Sequence, residues 1–269
     1  MASLKETQIT TYIGPKGYSI YKEYMDSAEQ KNLKEELTVS PFLPKSPVQP
    51  PAFPIYRESI TKLYIPRHFG LNTYGEPDEI RIPKGDNINI PFNGEMRDYQ
   101  INIVNIFMKS ATKVNKEGIC FGGGGLLEVP CGRGKTVIAC KIMSELKKKA
   151  LVIVHKSFLG DQWIERISQF LPTARVGKIQ GQVIDIEDKD IVIGMLQSLS
   201  MKEYPENMFS SFGITIVDEC HHISSEVFSR SLQKIITFND YSLAITTHFI
   251  LNFEFGRFLS LHVNQSIPR

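Results

Sequence analysis

Two glycines, a lysine and a threonine stand in the run Val129-Pro130-Cys131-Gly132-Arg133-Gly134-Lys135-Thr136, which leaves the apolar stretch Gly125-Leu126-Leu127-Glu128 and enters a helical pattern. A turn of this kind needs backbone conformations that glycine adopts without strain. It also gathers N–H groups at the positive end of a helix dipole. The run therefore reads as a phosphate-binding loop, in which backbone donors close round a polyphosphate, Lys135 reaches the outer phosphates and the Thr136 hydroxyl holds a magnesium ion. The full eight-residue pattern asks for glycine at its first position, where Val129 stands, so Gly132-x-Gly134-Lys135-Thr136 carries the signal.

Polyphosphate chemistry also needs a carboxylate at the end of a second buried strand to hold the magnesium, with a group nearby to position the attacking water. Ile214-Thr215-Ile216-Val217 supplies the strand, and Asp218-Glu219-Cys220-His221 follows it directly. Asp218 is the candidate metal carboxylate and Glu219 the candidate group that polarises water. Alone, an acidic pair after a β-branched run reads equally well as a solvated strand end. Its place some eighty residues beyond a phosphate loop, in the same alternating pattern, selects the catalytic reading.

From about Pro91 strands alternate with helices, the pattern of an α/β fold with a parallel sheet flanked by helices on both faces. Strands are expected at Leu126–Val129, Ala150–His155, Val176–Gln180, Ile191–Met195, Ile214–Val217 and Ser242–Thr246. Helices are expected at Asp98–Ser110, Lys135–Lys148, Asp161–Phe170 and Ser225–Ile235. In such sheets ligands gather at the carboxyl ends of the strands, where both Lys135 and Asp218 fall. Upstream the pattern differs. Eleven of the fifteen prolines lie in the first 91 residues, including the tract Pro41 to Pro51, which blocks helix continuation and interior strand pairing. Tyr18 to Leu37 reads as a charged helix, and Tyr56 to Ile90 as short β-like pieces such as Lys62-Leu63-Tyr64-Ile65, with turns at Gly75, Pro77 and Gly85. The expected organisation is a smaller mixed accessory region over 1–90, the α/β domain over 91–236, and a divergent Phe-rich tail over 237–269.

With 42% hydrophobic residues the chain can bury a core, and a formal net charge of +2 gives no whole-protein field that would attract nucleic acid. Cys120, Cys131, Cys140 and Cys220 share no CxxC spacing, which suits free thiols in a reducing compartment. His221-His222 has no further histidine or cysteine spacing to make a transition-metal site. The N-terminus has no signal-peptide pattern and no apolar run reaches the ~18 residues of a membrane span, so a soluble, intracellular protein is expected, in cytoplasm or nucleus. Lys147-Lys148-Lys149 reads as cations complementing a helix C-terminus rather than a nucleic-acid patch. Trp163, Ile164, Ile167 and Phe170 recur at helical spacing and read as core.

The region from about Met96 to Ile236 resembles the first RecA-like domain of superfamily 2 helicases. Within that superfamily, Met96-Arg97-Asp98-Tyr99-Gln100, the phosphate loop, Leu151-Val152-Ile153-Val154-His155-Lys156-Ser157 with Gln162-Trp163, Met195-Leu196-Gln197-Ser198-Leu199 and Asp218-Glu219-Cys220-His221 are similar to the XPB-type, DECH-box branch carried by large cytoplasmic DNA viruses. The resemblance implies ATP and Mg2+, with Arg97 and Gln100 recognising adenine and the stretch Val129, Pro130, Cys131, Gly132, Arg133, Gly134, Lys135 and Thr136 holding the phosphates. It makes Thr136 and Asp218 the magnesium ligands, Glu219 the catalytic glutamate, and His221 the residue coupling nucleotide to the rest of the machine. It also implies a nucleic-acid partner, DNA ahead of RNA, gripped through phosphates by Lys156, Ser157, Gln197 and Ser198. A Gln-Ser pair after a strand can equally cap the next helix.

The departures matter too. Family members carry Ser-Ala-Thr at the end of the strand after the DECH box, where this chain has Leu243-Ala244-Ile245-Thr246-Thr247, and none of the second RecA-like domain's motifs follow. That second lobe supplies an arginine worth ~10³–10⁵ in rate in related hydrolases. The expectation is thus an ATPase lobe with weak activity alone, needing a second RecA-like lobe or partner. Two alternatives remain open: a truncated ATP- and nucleic-acid-binding module without productive turnover, and a nucleotide-gated switch whose front end binds a partner protein.

Overall fold

The computed structural model describes residues 10–40, 49, 51–112, 114–120, 122–130, 132–205, 207–220, 241–246 and 262–263. The expected helix Ser225–Ile235, His221, Cys131 and most of the proline tract and Phe-rich tail lie outside the described residues. The chain divides into two compact units, Met1–Ile82 and Pro83–Arg269.

The first unit is built on strands β1 (Thr11–Gly14), β2 (Gly17–Tyr21), β5 (Arg57–Glu58), β6 (Lys62–Ile65) and β7 (Glu79–Ile80), in the order β5-β6-β2-β1-β7. A separate ribbon pairs β3 (Thr38–Val39) with β4 (Phe53–Pro54). Alternation along the strands sends Ile13, Tyr18, Ile20, Leu63 and Ile65 into a core. Helices α1 (Ser27–Glu36) and α2 (Arg67–Tyr74) complete the unit, with Leu33 and Phe69 buried. Gly17, at φ +103, is required at the β1–β2 turn because a Cβ there would lie 2.3 Å from the Ile65 carbonyl oxygen.

The single charged helix expected over Tyr18 to Leu37 is a strand, a 3-10 turn at Lys22–Tyr24, and then α1. Two local forces divide it. Tyr18 and Ile20 are buried at a strand's period of two, and the Asp26 carboxylate caps the new helix by accepting the Glu29 N–H at 2.7 Å.

His68 gives this unit an acid limit. Its burial in α2, with Arg67 beside it, pushes the imidazole down to about 4. Because this lies below the ordinary 6.5, the unfolded chain takes up the proton first as pH falls. The associated stability is complete above about pH 6.5 and is lost between there and pH 4, roughly 3 kcal/mol by linkage. Melting curves at pH 7 and pH 4.5 should show a fall in Tm that shrinks in His68→Gln; an equal fall in both proteins would contradict this origin.

The second unit holds a sheet ordered β11-β10-β12-β9-β13-β14-β8-β15. Its strands are β8 (Gly123–Glu128), β9 (Ala150–Val154), β10 (Val176–Gln180), β11 (Val183–Ile184), β12 (Ile191–Met195), β13 (Ile214–Val217), β14 (Tyr241–Thr246) and β15 (His262–Val263). All neighbours pair parallel except β10 and β11. Helices are α3 (Asp98–Ala111), α4 (Lys135–Leu146), α5 (Ser157–Phe170) and α6 (Leu196–Met201). Side chains of α3, α4 and α5, including Phe107, Ile138 and Ile167, pack with Val152, Val154, Ile193 and Ile216. Leu151, Ile153 and Val192 point the other way, toward Leu199 of α6 and Phe209 and Phe212. The expected parallel sheet covered on both faces is therefore the fold found.

Several boundaries shift, and one helix is added. Helix α4 stops at Leu146 rather than Lys148 because Lys147 turns left-handed, at φ 53. Helix α5 begins a turn earlier than expected, at Ser157, β9 stops one residue before His155, and α6 was not anticipated from the sequence. The unit also begins with a laced-on segment. Asp86 and Ile88 donate N–H groups to the Ser211 and Lys147 carbonyls, Ser144 Oγ donates to Ile90 O at 2.8 Å, and Phe92 stacks on Phe170. Among the described residues no helix is long and apolar enough to cross a membrane.

Candidate nucleotide site

Four carboxyl ends of parallel strands lie along one edge of the second unit's sheet, and each sequence-predicted segment follows one of them. The glycine loop follows β8, Lys156 and Ser157 follow β9, Gln197 and Ser198 follow β12, and Asp218 and Glu219 follow β13. Val129 is buried beneath the loop. Gly132 and Gly134 take φ +76 and +79, and Gly134 is the N-cap of α4 with no side chain capping it. Gly134 has no side chain to occupy the first-turn N–H groups of α4, which suits an anion-binding helix end. A Cβ at Gly132 would meet nothing within 4 Å, whereas one at Gly134 would lie 2.4 Å from Gln100 Nε2.

Helix α3 holds this loop by one carbonyl. Gln100 Nε2 donates to Arg133 O at 3.1 Å and Tyr99 OH donates to the same oxygen at 2.8 Å. Gln100 Oε1 in turn accepts the Arg97 N–H at 3.0 Å, so its buried amide is engaged at both ends. Arg97 stands exposed at the start of α3, with Nη1 3.5 Å from Tyr99 OH. Tyr99, to which its motif assigns no role, donates to the loop's backbone at a shorter distance than Gln100.

At the end of β13 the Asp218 N–H donates to Ile153 O at 2.9 Å, and Glu219 turns left-handed at φ 50. The turn brings Glu219 Oε1 to 2.9 Å from Lys135 Nζ, with both side chains largely buried. Asp218 Oδ2 accepts from Trp163 Nε1 at 2.8 Å, and Oδ1 accepts the Glu219 N–H at 3.0 Å. Burial raises the Asp218 carboxyl above its ordinary range; Trp163 and Lys135 act against that rise. Burial also pushes the Cys220 thiol up to about 12, which makes it an inert neighbour.

These residues fit a magnesium-bound polyphosphate. Thr136 sits in the first turn of α4, and Asp218 is a carboxylate that burial leaves in need of positive charge. Among the described residues no group of three His, Cys, Asp or Glu is arranged to hold a metal by itself. Few protein ligands are what magnesium takes where phosphate and water complete its shell.

Trp163 belongs to the core, as its spacing indicated, yet its indole N–H serves Asp218 across 55 residues of chain. Trp163→Phe keeps most of the packing and removes that donor, which should cost about 1–3 kcal/mol of stability and weaken magnesium-dependent nucleotide binding. Denaturant unfolding and magnesium titration of nucleotide affinity check this; unchanged values in both would contradict it.

The remaining candidates sit differently. Lys156 and Ser157 are exposed at the start of α5, and Gln197 is exposed in α6. Ser198 caps no helix: its Oγ accepts the Gly181 N–H at 2.9 Å and ties α6 to the β10–β11 turn. Two of the three lysines after α4 are held by structural contacts, the buried Lys149 donating to Ile186 O at 2.9 Å and Lys148 to Gly85 O at 3.3 Å, while Lys147 is the exposed C-cap of α4.

The family described as type III restriction enzyme, res subunit, matches residues 93–251. A protein of Acanthamoeba polyphaga mimivirus, named as an ATP-dependent RNA helicase, is 33% identical over all of this chain and 51% of its own length. The DNA 3'-5' translocase XPB2 of Sulfurisphaera tokodaii is 32% identical over 56% of this chain and 30% of its own length. The chain thus spans about half, or less, of these relatives. Among solved structures, T4 UvsW superposes with a TM-score of 0.53 at 17% identity, covering 82% of this chain and 49% of that one, a likeness of fold. With the loop, the acidic pair and the parallel sheet in one unit, the chain belongs to the type III restriction enzyme res-subunit family and carries a first RecA-like domain of the superfamily 2 helicase type.

Proposed function

We propose that this chain binds ATP with magnesium at the α4 N-terminus and hydrolyses it in response to a nucleic-acid strand lying across the neighbouring strand ends. The Lys135–Glu219 contact, joining the glycine loop to the β13 end across 84 residues, is the observation that carries this reading. Backbone N–H groups of the loop hold the phosphates, and Gly134 keeps them open. Lys135 leaves Glu219 for the outer phosphates, and the released carboxylate orients and deprotonates the attacking water. Magnesium, when bound, neutralises charge that develops on the phosphoryl oxygens. Asp218, fixed by Trp163, and Thr136 are the residues that would hold it. Arg97 and Gln100 meet the adenine, as the resemblance implies, and Gln100 with Tyr99 also holds the loop through the Arg133 carbonyl. His221 is assigned the coupling role from its motif alone.

Lys156, Ser157 and Gln197 are exposed at adjacent strand ends and suit phosphate contacts; Ser198 contributes by holding α6. Complete activity calls for an arginine from a second RecA-like lobe or partner, as the resemblance implies, with DNA the first candidate strand. Calorimetry with ATP, followed by phosphate release with and without single-stranded or duplex DNA and RNA, tests the reading. Binding together with nucleic-acid-stimulated release is expected. Folded protein without ATP affinity would overturn the reading, and binding without any turnover would favour a binding module.

A further inference from the structure

The first unit's sheet has two unlike faces. One carries Ile13, Tyr18, Ile20, Leu63 and Ile65 into the core. By strand alternation the other carries Tyr12, Ser19, Tyr21, Lys62 and Tyr64, with Ser19 opposite both Tyr12 and Tyr64, and Tyr21 opposite Lys62. Solvent faces of antiparallel sheets are ordinarily polar. Here Tyr12 and Ser19, at the centre of the face, are buried, and part-exposed rings alternate with cations around them. Lys62 Nζ lies 4.5 Å from the Tyr21 ring centroid and 5.1 Å from that of Tyr12, the Arg81 guanidinium carbon 4.1 Å from Tyr12, and Lys16 Nζ 5.1 Å from Tyr64. Tyr21 and Tyr64 stay half-exposed, while Lys16 and Arg81 are exposed.

Cations outnumber carboxylates on this face. Glu79, paired in register with Tyr12, is its neighbouring carboxylate and is already matched by Arg81 at 2.5 Å. Glu58 is held by Lys22 and Lys34 instead. We propose that the Tyr21–Tyr64 face of the first unit is a binding surface for single-stranded nucleic acid, with Tyr21 and Tyr64 stacking on bases and Lys16, Lys62 and Arg81 meeting phosphates. A nucleotide satisfies both halves of the contacts at Tyr21 and Tyr64, where its base covers the ring and its phosphate takes Lys62 or Lys16; the Tyr12 ring is buried and supports Lys62 and Arg81 from beneath. A lipid surface would call for projecting apolar side chains, and the strand positions named for this face carry none among the described residues. Stacking on tyrosine tolerates any base, so the surface grips a strand without reading its sequence.

The test measures fluorescence anisotropy of labelled dT20 and rU20 against the full chain, together with photocrosslinking of 4-thio-substituted strands mapped to peptides. Tyr21→Leu with Tyr64→Leu should weaken binding about tenfold or more, whereas Tyr21→Phe with Tyr64→Phe should stay within about twofold, because the ring is kept. Crosslinks should appear in peptides bearing Tyr21 or Tyr64, with either sugar. Should the leucine pair fail to fold, Lys16→Gln with Lys62→Gln replaces it, and the slope of log affinity against log salt should fall by about 1.4. The proposal is overturned if the leucine pair or the salt slope matches wild type, if the phenylalanine pair loses as much as the leucine pair, if crosslinks are confined to residues 83–220, or if heparin or anionic vesicles compete as well as the oligonucleotide. Loss of ATP binding in Lys135→Ala leaves these readings unaffected, so this proposal and the nucleotide site fail separately.

Discussion

Lys135→Ala is expected to lower ATP affinity by a factor of about 100 or more. The ammonium is the loop's one side-chain cation within reach of Glu219 among the described contacts, and charge-assisted bonds to phosphate contribute roughly twice what neutral ones do. The substitution also leaves Glu219 in a largely buried place without its ion-pair partner, so a modest loss of stability, about 1 kcal/mol, accompanies it. Calorimetry on protein verified by its melting curve separates the two effects. Wild-type nucleotide affinity in the variant would remove Lys135 from the site.

Glu219→Gln should act in the opposite sense on binding. The amide cannot hold Lys135 as an ion pair, so ATP affinity should be kept or improved, while hydrolysis falls by about 10²–10⁴ through loss of the general base. Single-turnover phosphate release with nucleic acid present, set beside equilibrium nucleotide binding, measures both. Turnover equal to wild type would show that Glu219 does not position the water. The left-handed backbone at Glu219, φ 50, accompanies the 2.9 Å contact of its carboxylate with Lys135 at the start of α4.

Much of the second unit was legible because its strands are buried on both sides and its turns are punctuated. Val176–Gln180, Ile191–Met195 and Ile214–Val217 occupy their expected bounds, since short β-branched runs between turn residues leave little choice. β8 starts three residues earlier than expected. Glycines are ordinarily poor strand formers, but a Cβ on Gly123 would stand 2.7 Å from the Ala111 backbone, so α3 packs where a side chain would have been. Only the packed structure shows that reason.

The first unit was read less well because its strands are short and partner at long range: β1 pairs with β7 across the whole unit, and β2 lies beside a run of charges. At the candidate site the residue types were visible but their pairings were not. No pattern in the sequence joins Trp163 to Asp218, or Gln100 and Tyr99 to the Arg133 carbonyl. Ser198 likewise offered a capping role by its position, and packing gave its hydroxyl to Gly181.

The most direct measurement is a crystal structure with magnesium and a non-hydrolysable ATP analogue. The phosphates should lie on the N–H groups of residues 132–136, with Lys135 drawn from Glu219 to a phosphate oxygen and Asp218 and Thr136 on the metal's side. An analogue bound elsewhere, with the Lys135–Glu219 contact intact, would contradict the account.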